Sequence, residues 1–194
     1  MFILELNIVK RRGYNSLILD NCNLEISRDS GNNIWIKRCM LTKCIDDLYL
    51  PDTLCINGID EPVFGIAKRA FTCCEGIKEI HLPRQLKVID DEAFYDLRSL
   101  QVITIPGSII SIGEKAFEHC VSLGYLIIEG NVLVIGDRAF FRCYQLQCIK
   151  ATEMIQIPES SYEDCIELQE LILKEGRVRV DKNRKNRQGN NRLC

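Results

Sequence analysis

One phrase recurs through the chain and constrains its fold more than any other feature. An Ala-Phe pair, preceded by an isoleucine and followed by a cysteine or leucine, returns at intervals of 23, 23, 23 and 22 residues. The pairs are Ala70-Phe71, Ala93-Phe94, Ala116-Phe117, Ala139-Phe140 and, in degenerate form, Ser161-Tyr162. A fixed period of this length is typical of a repeat solenoid, in which one structural unit stacks on the next.

Six columns of the repeat test whether this periodicity is real. In the second repeat these columns hold Ile89, the Ala93-Phe94 pair, Leu100, Ile103 and Ile105. Of their 30 positions only Ser161 is not hydrophobic, whereas hydrophobic residues make up 46% of the whole chain. Chance does not produce this difference, so the pattern marks a structural repeat.

The hydrophobic spacing changes within each repeat. Ile89, Ala93, Phe94, Leu97 and Leu100 stand at offsets 0, 4, 5, 8 and 11, which is the spacing of one face of a helix. The first half of each repeat is therefore predicted to form a short helical turn.

The second half of each repeat has strand spacing. The spacing of hydrophobic residues shortens from three between Leu100 and Ile103 to two between Ile103 and Ile105, which is the period of a strand. Pro106 then ends the strand, because proline cannot donate a hydrogen bond to a sheet ladder. A second extended piece, residues 109–112, leads into the next unit. Asp90 or Asp91 is expected to cap the start of the helix before this strand, and Gly113 and Gly136 are expected to mark helix starts.

The residue pattern of the repeat resembles that of a known family. Residues 112–128 read IGEKAFEHCVSLGYLII, which is similar to the BspA-type (Treponema-type) leucine-rich repeat. The segments 80–83 and 103–106 match the Ile-x-Ile-Pro signature of that family. The resemblance implies an interaction scaffold of a kind common in bacterial surface proteins and in some protists, without catalytic residues.

We therefore predict an α/β repeat solenoid. It is a leucine-rich-repeat stack of about five 23-residue units, each a short helical turn plus a strand of a parallel sheet. Residues 1–42 do not show the repeat and are expected to form an N-terminal antiparallel β cap over the open end of the stack. The solenoid is expected to span residues 43–180.

Within this solenoid, residues 43–65 are expected to form a partial zeroth repeat and residues 66–180 the full repeats. The zeroth repeat has extra residues relative to the period, and residues 57–63 are predicted to form a protruding loop. Residues 181–194 are basic and almost free of apolar side chains, so we expect them to be disordered.

The cysteines are unusual in number, at 11. Cys74, Cys120, Cys143 and Cys165 share one repeat column with Leu97, so this position is apolar, and free cysteine can fill it as a small hydrophobe. Buried, reduced thiols fit an intracellular or anaerobic setting.

The chain shows no signal peptide and no apolar run long enough to span a membrane. A cytoplasmic location is expected; the alternative is the cell surface, or secretion by a non-classical route.

No motif for catalysis or for a cofactor is present. His81 and His119 have no second ligand or nucleophile at a characteristic spacing. The cysteine pairs 39/44 and 73/74 lack the spacing of a structural zinc site, and no phosphate-binding glycine loop occurs. We expect no enzymatic activity, no metal, no cofactor and no small-molecule substrate.

The residues that alternate with the core positions along each strand should point to an open face of the sheet. Several of them are apolar or aromatic, which favours a protein-binding surface with a polar rim. The predicted partner-binding residues are Tyr49, His81, Val102, Thr104, Tyr125, Ile127, Lys150 and Ile172.

Two alternatives to this protein-protein interaction scaffold stay open at the level of sequence. Residues 181–194 include five Lys or Arg residues, which would suit nucleic acid or an anionic membrane, although no aromatic residue is interleaved for base stacking. The chain would otherwise serve as a structural segment of a longer surface repeat protein.

Overall fold

A computed structural model of the chain describes residues 7–11, 14–19, 21–153, 155–174 and 176–179. Residues 181–194, for which the sequence predicts disorder, lie outside these ranges. In chain order the strands are β1 (Asn7–Arg11), β2 (Tyr14–Ile18), β3 (Cys22–Arg28), β4 (Ile34–Leu41), β5 (Asp47–Tyr49), β6 (Thr53–Ile56), β7 (Ile59–Ile66), β8 (Glu79–His81), β9 (Val88–Ile89), β10 (Val102–Ile105), β11 (Ser111–Ile112), β12 (Tyr125–Ile128), β13 (Val134–Ile135), β14 (Cys148–Ala151), β15 (Glu170–Leu173) and β16 (Gly176–Arg179). One short 3₁₀ helix is described, over Glu159–Tyr162.

The strands form two sheets that run along the two sides of a stack of about five turns. The long-strand sheet has the order β16-β15-β14-β12-β10-β8-β5, and all its pairs are parallel except β15 with β16. The second sheet is called the short-strand sheet after its two-residue strands β9, β11 and β13, although β4 and β7 in it have eight residues each. Its order is β1-β2-β3-β4-β7-β9-β11-β13, with β6 attached to β7. The predicted leucine-rich-repeat solenoid with a parallel sheet is confirmed.

The segments that carry the four Ala-Phe pairs are not helical, and only the degenerate Ser161-Tyr162 pair lies in the short 3₁₀ helix. The predicted helical turns and α/β class are therefore wrong. In the second repeat, Glu92 and Asp96 have φ angles of 53° and 61° on either side of Ala93-Phe94-Tyr95. A left-handed residue at this spacing prevents any helical turn from continuing. The same two positions have positive φ in the next two repeats, at Lys115, His119, Arg138 and Arg142.

The backbone of this segment bonds to the next turn instead of to itself four residues back. The N–H groups of Glu92, Phe94 and Asp96 donate to the carbonyls of Glu114, Ala116 and Glu118, at 2.9, 2.8 and 2.8 Å. Each turn therefore satisfies the polar backbone of its neighbour on a third side of the stack. The same ladder repeats one turn later, from Lys115, Phe117 and His119 to Asp137, Ala139 and Phe141.

The two aspartates expected to cap a helix hold neighbouring turns together. Asp90 Oδ2 accepts the Lys68 N–H at 3.2 Å, and Asp91 Oδ1 accepts the Glu114 N–H at 2.8 Å. Each carboxylate therefore caps backbone donors of the adjacent turn, since no helix is present there to cap.

Phenylalanine rings stack through the centre of the solenoid. The ring centroids of Phe71, Phe94, Phe117 and Phe140 are separated in turn by 4.8, 4.9 and 5.6 Å. These separations are close to the spacing of adjacent strands, because one ring comes from each turn. All four side chains are fully buried, and burying a phenylalanine stabilises the fold by about 1.5–3 kcal/mol.

The cysteine column lies in the core, as its sharing with leucine predicts. Cys74, Cys120 and Cys143 are buried, and Cys165 is half-buried. The Cys120 and Cys143 thiols donate to the carbonyls of Phe94 and Phe117 in the preceding turn, with Sγ–O distances of 3.2 and 3.3 Å. The sequence pattern did not predict this thiol-to-carbonyl contact between turns.

The first four strands form an antiparallel sheet that joins the stack through a parallel pair between β4 and β7. Trp35 on β4 donates its Nε1–H to Asp29 Oδ2 at 2.9 Å and is half-buried against Gly65 and Phe64. These contacts connect the N-terminal strands to the first turn.

A β-hairpin stands where the sequence predicted a protruding loop. Strands β6 and β7 pair across Asn57-Gly58, whose φ angles are 55° and 81°. Arg28 donates to both carboxylate oxygens of Glu61, at 2.7 and 2.6 Å. This hydrogen bonding holds the pKa of Glu61 below its ordinary value and ties the hairpin to β3.

Two glycines recur because consecutive turns approach each other closely at their positions. A Cβ on Gly113 would lie 2.4 Å from the Asp91 nitrogen, and one on Gly136 would lie 2.5 Å from the Glu114 nitrogen. Backbone atoms cannot move aside as a flexible side chain would. The expectation that these glycines mark helix starts is therefore replaced by a steric reason.

Replacing Gly113 with alanine should lower the free energy of unfolding by about 1–3 kcal/mol, since the new methyl group overpacks the backbone of the preceding turn. Urea denaturation followed by circular dichroism would measure this change. Gly124→Ala is the matched control, because a Cβ there meets no atom closer than 3.9 Å. Equal stability of the two variants would contradict the close approach.

Thiol labelling should separate two cysteines that are adjacent in sequence. Cys73 is exposed and Cys74 is fully buried, so of these two only Cys73 should react rapidly with an aromatic disulfide reagent in the folded protein. Burial also raises the pKa of the Cys120 and Cys143 thiols, so little reactive thiolate forms there. Peptide mass spectrometry would locate the labels. Rapid native-state labelling of Cys74 in a Cys73→Ser variant would contradict the buried column.

Candidate protein-binding site

The open face of the long-strand sheet is the surface turned away from the core, and it carries two rows of side chains. The parallel register aligns one residue from each strand, so a row crosses the stack from turn to turn. One row contains Asp47, Glu79, Val102, Tyr125, Cys148 and Glu170. The second row contains Tyr49, His81, Thr104, Ile127, Lys150 and Ile172.

The N-terminal end of this face is an aromatic and acidic cluster. The Tyr49 and His81 rings stack with centroids 3.9 Å apart and planes 9° apart, while Tyr49 remains 66% exposed. His81 Nε2 lies 3.7 Å from Glu79 Oε1. The cluster forms because β5 and β8 pair in register, which places Tyr49 directly beside His81.

The centre of the face is apolar. Tyr125 is 54% exposed, and its hydroxyl donates to Gln147 Oε1 at 3.3 Å, which orients the ring towards the neighbouring turn. Val102 lies opposite it on β10, Ile127 follows on the same face of β12, and Thr104 lies opposite Ile127; all three are half-buried. An oriented aromatic ring among half-buried aliphatic groups suits apolar contact with a partner, since little side-chain freedom is lost on binding.

The C-terminal end of the face is more polar. Lys150 is exposed, whereas Glu170 and Ile172 are half-buried. Strand β16 pairs antiparallel with the edge of β15, which is the last parallel strand of the sheet. The face therefore changes from acidic at β5, through apolar at β10 and β12, to mixed charge at β14 and β15.

The structure places all the predicted partner-binding residues on this one face. They share it because each is the outward residue of an alternating pair whose inward neighbours, such as Leu48, Ile80 and Leu126, are buried. The residues are Tyr49, His81, Val102, Thr104, Tyr125, Ile127, Lys150 and Ile172.

The remaining histidine lies away from this face, on the Ala-Phe side of the stack. His119 stacks on Tyr95 at 5.8 Å, and its Nε2 lies 3.3 Å from an Arg142 nitrogen. Across the described ranges, no group of three or more His, Cys, Asp or Glu side chains is arranged to hold a metal ion. Within the same described ranges, no helix has the length and apolar character needed to cross a membrane.

A second exposed apolar patch, on the short-strand sheet, was missed by sequence reasoning. Leu133 and Val134 are 71% and 56% exposed, and Ile110 lies beside them in the preceding turn. The signal was available in the sequence, because these residues flank the buried Ile109 and Ile135 in the second extended piece of their repeats. This patch provides a control surface for the open face.

The fold is that of a leucine-rich repeat solenoid, and comparison with solved structures supports this class. The chain is similar to a leucine rich cell surface protein from Faecalibacterium prausnitzii, with 20% identity and a TM-score of 0.61 over 81% of this chain and 42% of that one. It is also similar to the Treponema pallidum leucine rich repeat protein, with 25% identity and a TM-score of 0.56 over 77% of this chain and 78% of that one. No curated protein sequence matches the chain.

Six copies of the BspA type leucine rich repeat region match residues 64–184, and the chain therefore belongs to the BspA-type leucine-rich repeat family. Members of this family are generally non-enzymatic scaffolds, and leucine-rich repeats generally mediate protein interactions. The chain spans 42% of the length of the F. prausnitzii protein.

The expected cytoplasmic location gains no support from these comparisons. The F. prausnitzii relative is described as a cell surface protein.

Proposed function

We propose that the protein is a non-catalytic scaffold that binds a protein partner through the open face of its long-strand sheet. The observation that supports this most is the apolar centre of that face. Tyr125 is exposed and oriented there among Val102, Thr104 and Ile127. Tyrosine at the centre of a patch with a polar rim is a frequent binding hot spot.

The repeat stack suits this role because it holds the face in one shape. The strands that carry Val102, Tyr125 and Cys148 are joined by continuous parallel pairing. A partner that contacts several turns at once therefore loses little free energy to ordering of the scaffold.

We propose further that the chain acts at the cell surface. The observation that supports this is that the F. prausnitzii relative, which shares the fold, is described as a cell surface protein. We propose in addition that the chain is one segment of a longer repeat array. The similar surface protein from F. prausnitzii extends beyond the region that matches this chain.

The double variant Tyr125→Asp/Ile127→Asp should lose the partner, because two carboxylates in the apolar centre would be desolvated on binding. Affinity capture from host-cell lysate and from isolated cell envelopes, followed by mass spectrometry, would compare it with the wild type. The matched control is Leu133→Asp/Val134→Asp, which places the same charges in the exposed apolar patch of the other sheet. Circular dichroism would establish that both variants fold.

A protein that is retained by the control and lost with the open-face variant supports the proposal. A protein retained by both variants would place its binding site elsewhere on the chain. A third chain ending at Val180 tests the alternative role of residues 181–194. Loss of a ligand only in that chain, with steep dependence on salt, would favour contact with nucleic acid or anionic membrane.

A further inference from the structure

Strand β5 forms one edge of the long-strand sheet. On its inner side, the Asp46 carbonyl accepts the Lys78 N–H at 2.7 Å, and the Leu50 N–H donates to the His81 carbonyl at 3.0 Å. Successive residues of a strand direct their N–H and C=O groups to opposite sides. The backbone groups of Asp47 and Tyr49 therefore point away from β8, and no other strand among the described residues pairs with that side.

The side chains at this edge are predominantly acidic. Asp46, Asp47 and Glu79 supply three carboxylates, and Lys78 supplies one ammonium group, which pairs with Asp46 at 2.9 Å. Asp47 is exposed. Like charges directly opposite each other destabilise strand pairing, so this edge disfavours pairing with the same edge of a second copy and favours a basic strand.

Tyr49 adds a site for a cation at the same edge. One face of its ring stacks on His81, which belongs to the inner neighbour β8. Because the two planes differ by only 9°, the other ring face looks outward, towards the position that a further strand would occupy. A lysine or arginine opposite Tyr49 on such a strand would lie over that free face, and Asp47 is two residues away along the same strand.

We propose that the outer edge of β5 takes up an extended, lysine- or arginine-bearing segment of a partner protein by strand addition. Backbone hydrogen bonds to Asp47 and Tyr49 supply the pairing, and the cation is held between the Tyr49 ring and the Asp47 carboxylate. This site is separate from the apolar centre of the open face. Because β5 belongs to the same sheet, a partner bound to the open face could also contact its outer edge.

The proposal can be tested with fluorescent peptides and the full chain, by fluorescence anisotropy. The probe is an eight-residue peptide that alternates valine and arginine. One control peptide has glutamate in place of arginine, and a second carries N-methyl groups on alternate residues so that it cannot donate along one edge. We expect the arginine peptide to bind at least ten-fold more tightly than either control, because both charge and backbone pairing contribute.

Matched substitutions at one position separate charge from pairing. Asp47→Asn removes the carboxylate and keeps the outward N–H, whereas Asp47→Pro removes both and leaves the bonds of Asp46 and Leu50 to β8 intact. Binding should fall with Asp47→Asn and fall several-fold further with Asp47→Pro. The Tyr125→Asp/Ile127→Asp variant should bind the peptide as the wild type does, which distinguishes this site from the open-face proposal.

The proposal is overturned if the N-methylated peptide binds as tightly as its parent, because the attraction would then be purely electrostatic. It is also overturned if the arginine and glutamate peptides bind equally. Should Asp47→Pro fail to fold, the N-methylated peptide still decides between pairing and charge. Equally tight, pairing-dependent binding of a peptide with the sequence of residues 181–194 would replace the partner protein with a second copy as the occupant.

Discussion

Every turn of this solenoid depends on the backbone of the turn beside it. A single repeat is too short to bury its own apolar side chains, and its Ala-Phe segment makes its long-range hydrogen bonds to the next repeat. Phe94 shows both dependences at once. Its N–H donates to Ala116, and its ring lies between the rings of Phe71 and Phe117. Hydrogen bonding and core packing therefore require the same inter-turn spacing, and neither is complete in one repeat alone.

The surfaces proposed to bind a partner follow from where the backbone hydrogen bonds between turns continue and where they stop. In the middle of the long-strand sheet they are continuous, so side chains such as Val102 and Tyr125 are aligned into a rigid face. In the short-strand sheet, Gly113 and Gly136 donate to Ile89 and Ile112, but the next residue in their column is Pro158, which has no N–H to continue the series. Strand β13 is therefore the last described strand at that end of its sheet.

The sequence predicted more about which side chains point inward than about the backbone that carries them. The sequence predicts one helical face formed by Ile89, Ala93, Phe94, Leu97 and Leu100. All five are buried, yet their segment contains no helix. The inward spacing is shared by a helix and by a turn with left-handed residues at Glu92 and Asp96. Glutamate and aspartate do not by themselves indicate a positive φ, so the spacing of the hydrophobic residues was compatible with both conformations. Only the hydrogen bonds to the next turn distinguish them.

Sequence alone was enough to predict the period, the inward columns, the strand halves and the two rows of residues on the open face, because alternation and repetition can be read along a single chain. It also contained the family wording in residues 112–128. Sequence could not predict how Tyr49 stacks on His81, how Cys120 bonds to the preceding turn, or which edge of the sheet is left acidic and open. These features arise between residues of different turns, whose separation in space is set only when the turns stack.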